Sequence, residues 1–111
     1  MSYRENMVYS GRFSLAEAEF TASGSVDVYG LDTSSTAITV NLPAAGAVAA
    51  YKSYTFKDTG NNASSNNITI DGAGDQRIDG QTTYVINTNG EAVTIVSDGG
   101  GWLVISRYVA D

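Results

Sequence analysis

The chain contains no cysteine and no histidine among its 111 residues. Without cysteine there is no disulfide, no thiolate nucleophile and no cysteine-based zinc or iron–sulfur site, so stability has to come from packing or oligomerisation. Without histidine, the Ser-His-Asp and Cys-His catalytic arrangements are excluded, and carboxylate, lysine or tyrosine chemistry remains. Paired carboxylates do glycosidase chemistry, but twelve acidic residues in one chain always supply some pair. We therefore expect no enzyme and no cofactor.

Basic residues are also scarce, six against twelve acids, which gives a net charge of −6. A nucleic-acid partner would need a positive footprint, and no basic run supplies one. No apolar stretch is long enough to span a bilayer, and Met1–Asn6 lacks the apolar core of a signal peptide. We expect neither a nucleic-acid nor a membrane partner, and a protein that is made in the cytoplasm and leaves it only inside something larger.

The overall composition favours one all-β domain. Proline occurs once, glycine twelve times, and 42% of the residues are hydrophobic. Short runs of β-branched and aromatic residues alternate with Gly, Asn and Asp, which suit turns. The predicted strands are Ser25–Tyr29, Ala37–Leu42, Tyr54–Lys57, Asn67–Ile70, Thr83–Thr88, Ala92–Ser97 and Trp102–Ile105.

Asn89-Gly90 is the strongest local turn pattern, because a type I′ hairpin needs positive φ at both central positions. It predicts that Thr83–Thr88 and Ala92–Ser97 form one hairpin. Tyr84 and Ile86 would then face Val93 and Ile95, with Val85 and Val96 on the opposite face. An apolar second face indicates a second cover, which a neighbouring subunit could supply.

A similar segment occurs three times, as Ile38-Thr39-Val40-Asn41, Asn67-Ile68-Thr69-Ile70 and Val93-Thr94-Ile95-Val96. The segments could be coils of a solenoid or simply recurring β composition. Their unequal spacing favours recurring composition.

Residues 1–20 read as an N-terminal arm and residues 21–111 as the β-domain. Ser14–Phe20 could form one or two helical turns, with Ser14 as N-cap and Glu17 completing a capping box. The rest of the arm is either an ordered edge strand or frayed terminus, or a docking arm, since exposed aromatic residues are typical interface anchors.

Two further features have competing interpretations. Asp71, Asp75 and Asp79 are spaced among glycines as oxygen ligands for calcium could be, but the spacing matches no established calcium loop, so turn capping is the stronger interpretation. Trp102 follows three glycines, and a core or inter-subunit position is favoured over ligand stacking.

The order of strand and turn residues resembles a β-rich module of tailed-bacteriophage virion proteins. The resemblance covers about residues 25–107 and leaves the arm unmatched. It is carried by Val28, Asp32-Thr33-Ser34, Ile38 through Ala45, Tyr54 through Asn61, Asn67 through Ile70, Asp75 through Gly80, Tyr84 through Asn89, Val93 through Gly99 and Trp102 through Ile105.

The resemblance implies a small antiparallel β-sandwich or barrel-like domain, assembled as a homotrimer and without catalytic residues. Because the chain is little more than this module, it further implies a capsid decoration (cement) protein on the virion surface, assembled in the host cytoplasm and bound to the major capsid protein. The rival expectation is a short head-fibre, tail-fibre or spike module that binds host-surface glycans through Trp102, Tyr84 or Tyr108.

Two sets of site residues follow from position and residue type. The expected capsid contacts of the arm are Tyr3, Arg4, Tyr9, Arg12 and Phe13, and the expected contacts between subunits are Val85, Val96, Trp102 and Val104.

Overall fold

Nine β-strands and a short 3-10 helix form the part of the chain that the computed structural model describes, residues 13–109. The strands are β1 (Phe13–Ala16), β2 (Phe20–Thr21), β3 (Val28–Leu31), β4 (Ile38–Asn41), β5 (Ser53–Asp58), β6 (Ile68–Asp71), β7 (Thr83–Ile86), β8 (Ala92–Ser97) and β9 (Trp102–Tyr108), and the 3-10 helix is Ala45–Ala47. Within this range no helix has the length and apolar character needed to cross a membrane. The all-β prediction is confirmed.

The strands form two sheets between which the chain alternates. Sheet A has the order β1-β3-β5-β8-β9 and sheet B the order β2-β4-β6-β7. Up to β6 each strand pairs in parallel with the strand two steps earlier, and only the β5–β8, β8–β9 and β6–β7 pairs are antiparallel. The prediction of an antiparallel domain was therefore wrong for its first half. In that half, the chain forms one strand of the other sheet between two paired strands, and the second paired strand therefore runs parallel to the first.

The repeated segments reveal this parallel stacking. Ile38 pairs with Ile68 and Val40 with Ile70, so the first two repeats lie side by side in register like successive coils of a solenoid. The third repeat lies in β8 of sheet A and pairs antiparallel with β5. Recurring composition was thus the wrong interpretation for the first two repeats.

The predicted hairpin around Asn89-Gly90 does not form. β7 belongs to sheet B and β8 to sheet A, so the turn carries the chain across the core. Gly90 has a φ of 80°, whereas Asn89 is not among the residues with positive φ. The Glu91 N–H donates to the Thr88 carbonyl, which closes a turn that needs positive φ only at its third position.

The helical turns predicted for Ser14–Phe20 are also absent. Phe13–Ala16 pairs with β3 and Phe20–Thr21 pairs with β4, so this stretch of the predicted arm supplies an edge strand to each sheet. The Phe20 ring lies 4.7 Å from the Tyr29 ring, between centroids. Tertiary pairing has overridden a local capping pattern that was too short to hold a helix alone.

The inward-facing residues of both sheets form one hydrophobic cluster. Sheet A contributes mainly aromatic rings, and sheet B contributes aliphatic side chains such as Ile38, Ile68 and Ile86. The Tyr54 and Trp102 rings lie 5.4 Å apart, between centroids. This core fixes which face of each sheet is turned to the outside.

Candidate functional site

Asp58 joins three loops at one end of the sheets although it is buried. Its Oδ1 accepts hydrogen bonds from the Thr33 hydroxyl at 2.6 Å and the Asn61 N–H at 3.1 Å. Its Oδ2 accepts from the Ala63 N–H at 3.1 Å and the Gly90 N–H at 3.0 Å. All of its donors come from the loops that follow β3, β5 and β7, so this carboxylate holds those loops together.

Two opposing effects act on the pKa of Asp58. Burial raises it, but the Thr33 hydroxyl and the N–H groups of Gly90, Ala63 and Asn61 favour the charged form, and together they lower the pKa below its ordinary value. Asp58 is therefore a charged and fully hydrogen-bonded group inside the protein.

Glu91 is a second buried carboxylate, directly before β8. Its Oε2 accepts from the Tyr84 hydroxyl and from Arg107 Nε, each at 2.9 Å, and its Oε1 accepts from the Asn87 N–H at 3.3 Å. Burial and the hydrogen bond to this negative group raise the pKa of Tyr84 to about 12, and the same carboxylate raises the pKa of Arg107. Glu91 thereby ties β7 of sheet B to β9 of sheet A.

The outer face of sheet A is the surface turned away from the core. Because paired residues share a face, the register gives two rows of side chains across all five strands. One row is Phe13, Val28, Thr55, Thr94 and Ser106, and the other is Leu15, Gly30, Lys57, Ala92 and Tyr108. Val96 and Leu103, paired with each other, extend the surface further along β8 and β9.

Packing on this outer face is close but leaves apolar atoms exposed. Gly30 makes room for the side chains of β1: a Cβ at Gly30 would lie 2.8 Å from Leu15 Cδ2 and 3.2 Å from Phe13 Cζ. The Thr55 and Thr94 hydroxyls lie 2.8 Å apart. Lys57 Nζ donates to the Gly90 carbonyl and lies 5.0 Å from the centre of the Tyr108 ring, so both contacts of its ammonium group are made within the chain.

The outer face of sheet B differs in chemistry. Its rows are Thr39, Thr69 and Val85, and Thr21, Asn41, Asp71 and Thr83. Asn41 Nδ2 donates to Glu19 Oε2 at 3.0 Å. Apart from Val85 this is a polar surface, so the two faces of the molecule are not equivalent.

The structure separates the four residues expected between subunits. Val96 lies on the outer face of sheet A and Val85 on the outer face of sheet B. Trp102 is 1% exposed and Val104 packs against the core, so both face inwards. The four therefore share no surface, because Val85 and Val96 were assigned to one face on the assumption of a β7–β8 hairpin.

The three calcium candidates do not converge. Within residues 13–109 no group of three potential ligands of the kinds His, Cys, Asp and Glu could hold a metal ion. Asp71 lies on the outer face of sheet B, and Asp75 is exposed in the loop after β6. The Asp79 carboxylate accepts a hydrogen bond from the Val104 N–H at 2.8 Å, so it caps the outer edge of β9.

The aromatic residues expected to stack on sugars lie in different environments. Trp102 is in the core, Tyr84 is half-buried on Glu91, and Tyr108 is exposed beside Lys57. Sequence reasoning missed Tyr51, which is 77% exposed and has a φ of 58°, a left-handed conformation that is uncommon for a tyrosine. Its position beside the turn into β5 was the available indication.

Of the residues expected to contact a capsid, Phe13 is the one within the described range, where it begins β1 with its ring over Gly30. Tyr3, Arg4, Tyr9 and Arg12 lie outside the described residues. Comparison of the chain with protein-family models and with curated proteins gives no match. The expected resemblance to phage virion modules therefore rests on the pattern of strand and turn residues alone.

Proposed function

We propose that this chain is a non-enzymatic structural protein of a bacteriophage virion: a capsid decoration (cement) protein that binds the shell as a homotrimer. The observation that carries the proposal is the outer face of sheet A, where two rows across five strands consist mostly of apolar and threonine side chains, interrupted by Gly30, Lys57 and Ser106. Such a surface suits protein contacts better than the binding of a small polar substrate.

The buried carboxylates support a structural role. Asp58 and Glu91 accept hydrogen bonds on both of their oxygens from groups of the same chain. A general acid or base needs a free oxygen within reach of substrate, and these carboxylates instead hold loops and strands in place. A rigid domain that joins subunits benefits from such internal ties.

The arm is the proposed anchor on the major capsid protein. Phe13, at the edge of sheet A, is where the chain leaves the described domain towards Tyr3, Arg4, Tyr9 and Arg12. Aromatic and arginine side chains are the residue types that most often anchor protein interfaces. Two of the chain's six basic residues lie in this short stretch, which suits contact with an acidic shell surface.

Co-sedimentation tests the proposal. The full-length protein is mixed with phage shells that lack it, and bound protein is measured after pelleting. We expect binding at a fixed ratio to shell subunits, and no binding by a variant that lacks residues 1–12 but retains β1. Full-length protein that stays in the supernatant would overturn the decoration role, and retained binding by the truncated variant would overturn the anchoring role of the arm.

A second candidate, a fibre or spike module that binds host-surface glycans, is favoured by Tyr51. Its exposed ring directly precedes Lys52, which lines a surface depression with Asp27 and Thr55. Lys52 Nζ lies 2.5 Å from Asp27 Oδ1, so a charged pair lines this depression, next in sequence to the exposed Tyr51. Polysaccharide purified from host cells should bind the wild-type protein more tightly than Tyr51→Ala if this role is correct, and equal or absent binding would exclude it.

A further inference from the structure

Exposed large hydrophobic side chains concentrate at the two edge strands of sheet A. Five of the eight in residues 13–109 lie there, Phe13 and Leu15 on β1 and Leu103, Ile105 and Tyr108 on β9, whereas the strands of sheet B contribute only Val85 and the other two, Tyr51 and Val109, lie outside the strands. Single exposed hydrophobic residues are ordinary, but groups at strand edges mark interaction surfaces. Both edges of sheet A therefore have the character of contact sites.

Sheet A has few charges on its edge strands: β1 has none, and β9 has Arg107, whose guanidinium pairs with the buried Glu91 of the same chain. The one carboxylate in its five strands is Asp58, which is buried, and its outer face carries a single ionised side chain, Lys57. The chain as a whole has a net charge of −6, so two copies repel each other over most of their surface. At sheet A they can approach without bringing carboxylates together, which favours a second copy of this chain as the partner.

The outer edge of β9 is blocked over only part of its length. The main-chain N–H of Trp102 donates to the Arg77 carbonyl, and the Trp102 carbonyl accepts from the Asp79 N–H. The Asp79 carboxylate accepts a hydrogen bond from the main-chain N–H of Val104. The stretch beyond this block, Ile105–Tyr108, has no strand on its outer side within residues 13–109. It has the same length as β1, which is likewise without an outer neighbour in that range.

The direction of the strands fits a closed ring. β1 and β5 run parallel through β3, and β9 runs parallel to β5 because both are antiparallel to β8. Rotation of a protomer about an axis along the strands preserves these directions. The β9 edge of one copy then meets the β1 edge of the next as a parallel neighbour, a heterologous contact that closes when the rotation closes.

We propose that copies of this chain assemble head to tail through these two edges, with β1 of one protomer against the Ile105–Tyr108 stretch of the next. The inference rests on the proposed trimer and assigns its interface. Phe13 and Leu15 on one side contact Ile105 and Tyr108 on the other, and the main-chain groups of the two edges pair.

Three variants of the full-length protein test the interface: Leu15→Asp on β1, Ile105→Asp on β9 and, as control, Val85→Asp on the edge strand of sheet B. All three place a charge at an exposed apolar position in an edge strand, with exposures of 70%, 60% and 40%. Sedimentation velocity gives the oligomeric state, and circular dichroism confirms that each variant is folded. We expect a trimer for the wild type and for Val85→Asp, and monomers for Leu15→Asp and Ile105→Asp.

Mixing the two edge variants tests the head-to-tail geometry. Each variant retains one intact edge, so the β9 edge of Leu15→Asp can bind the β1 edge of Ile105→Asp, and an equimolar mixture should form one-to-one dimers that neither variant forms alone. Dimers of either variant by itself would overturn the geometry by showing a symmetric contact, and dissociation caused by Val85→Asp alone would overturn the interface. A monomeric wild type would overturn this proposal, whereas a trimer that ignores shells would overturn only the decoration role.

Discussion

Replacing Asp58 tests whether its buried carboxylate contributes more stability than an ordinary turn residue does. In Asp58→Asn an amide group replaces one oxygen and turns two donors towards N–H groups that need an acceptor. Hydrogen bonds to a buried charge contribute more than neutral ones, so we expect a loss of about 2–3 kcal/mol in the free energy of unfolding. Urea titration followed by circular dichroism measures it.

Asp32 provides the control for this prediction. It is exposed, and its Oδ1 accepts hydrogen bonds from the N–H and hydroxyl of Ser34, which lower its pKa. Solvent can replace these bonds, so Asp32→Asn should leave the urea midpoint close to that of the wild type. Equal losses in the two variants would contradict the role assigned to the Asp58 network.

Tyr54 and Tyr84 have similarly raised pKa values, but removing their hydroxyl groups should change the stability in opposite directions. Burial is the main cause in both and raises the pKa of Tyr54 and of Tyr84 to about 12. The Tyr54 hydroxyl is buried without a hydrogen-bond partner among the described residues, whereas the Tyr84 hydroxyl donates to Glu91. Removing a buried hydroxyl with no partner is favourable, and removing a donor to a buried carboxylate is not.

Thermal unfolding at neutral pH should therefore rank the two variants. We expect Tyr54→Phe to be as stable as the wild type or more stable by up to about 1 kcal/mol, and Tyr84→Phe to lose about 1–2 kcal/mol. The reverse order would show that the Tyr54 hydroxyl has a stabilising contact.

Sequence reasoning placed Asp58 in a polar turn but did not identify it as buried. The run Asp58-Thr59-Gly60-Asn61-Asn62 predicts the turn from residue type alone. Burial of the carboxylate depends on Thr33 and Gly90, which only the folded chain brings to it. The arm, from Phe13 and Arg12 back to Tyr3, shows the same limit of sequence reasoning. Its residue types suggest an anchor, but residue type does not identify the partner.

At the scale of strands, the sequence predicted where most strands form but not which strands pair with one another. The strands predicted at Ala37–Leu42 and Asn67–Ile70 are observed at Ile38–Asn41 and Ile68–Asp71, because β-branched residues favour a half-buried pleated surface. Alternation of apolar residues says which face is buried but not which sheet holds the strand. The pattern at Asn89-Gly90 therefore fitted both a hairpin and a crossing between sheets, and a buried Ile86 and Val93 suit either.

Gly60 tests the stacking of equivalent turns in the parallel half of the molecule. Leu31 and Asp58 are paired at the ends of β3 and β5, and the turns that follow remain in contact. A Cβ at Gly60 would lie 2.4 Å from the Thr33 nitrogen and 2.8 Å from the Ser34 nitrogen, both main-chain atoms. Since the backbone would have to move, Gly60→Ala should cost about 2–3 kcal/mol of stability.

Gly100→Ala is the matched control for this substitution. The nearest atom to a Cβ there is Asp98 Oδ1 at 4.0 Å, so the methyl group meets open space. We expect a change within about 0.5 kcal/mol in urea unfolding. A tolerated Gly60→Ala would mean that the turns after β3 and β5 are not tightly stacked.

For the whole molecule, the lowered pKa of Asp58 predicts the direction of its acid response. The folded state holds the proton of this carboxyl less tightly than the unfolded chain, whose aspartates titrate near pH ~3.9. Below that pH the unfolded state binds more protons, so the stabilisation, fully present at higher pH, is lost as the pH falls through the lower folded-state pKa. Unfolding free energies measured between about pH 6 and pH 2 should fall in this acid window. The Asp58→Asn protein should start lower and show a flatter profile there, because it has no carboxyl to protonate at that site, whereas parallel profiles for the two proteins would show that other carboxylates govern the acid response.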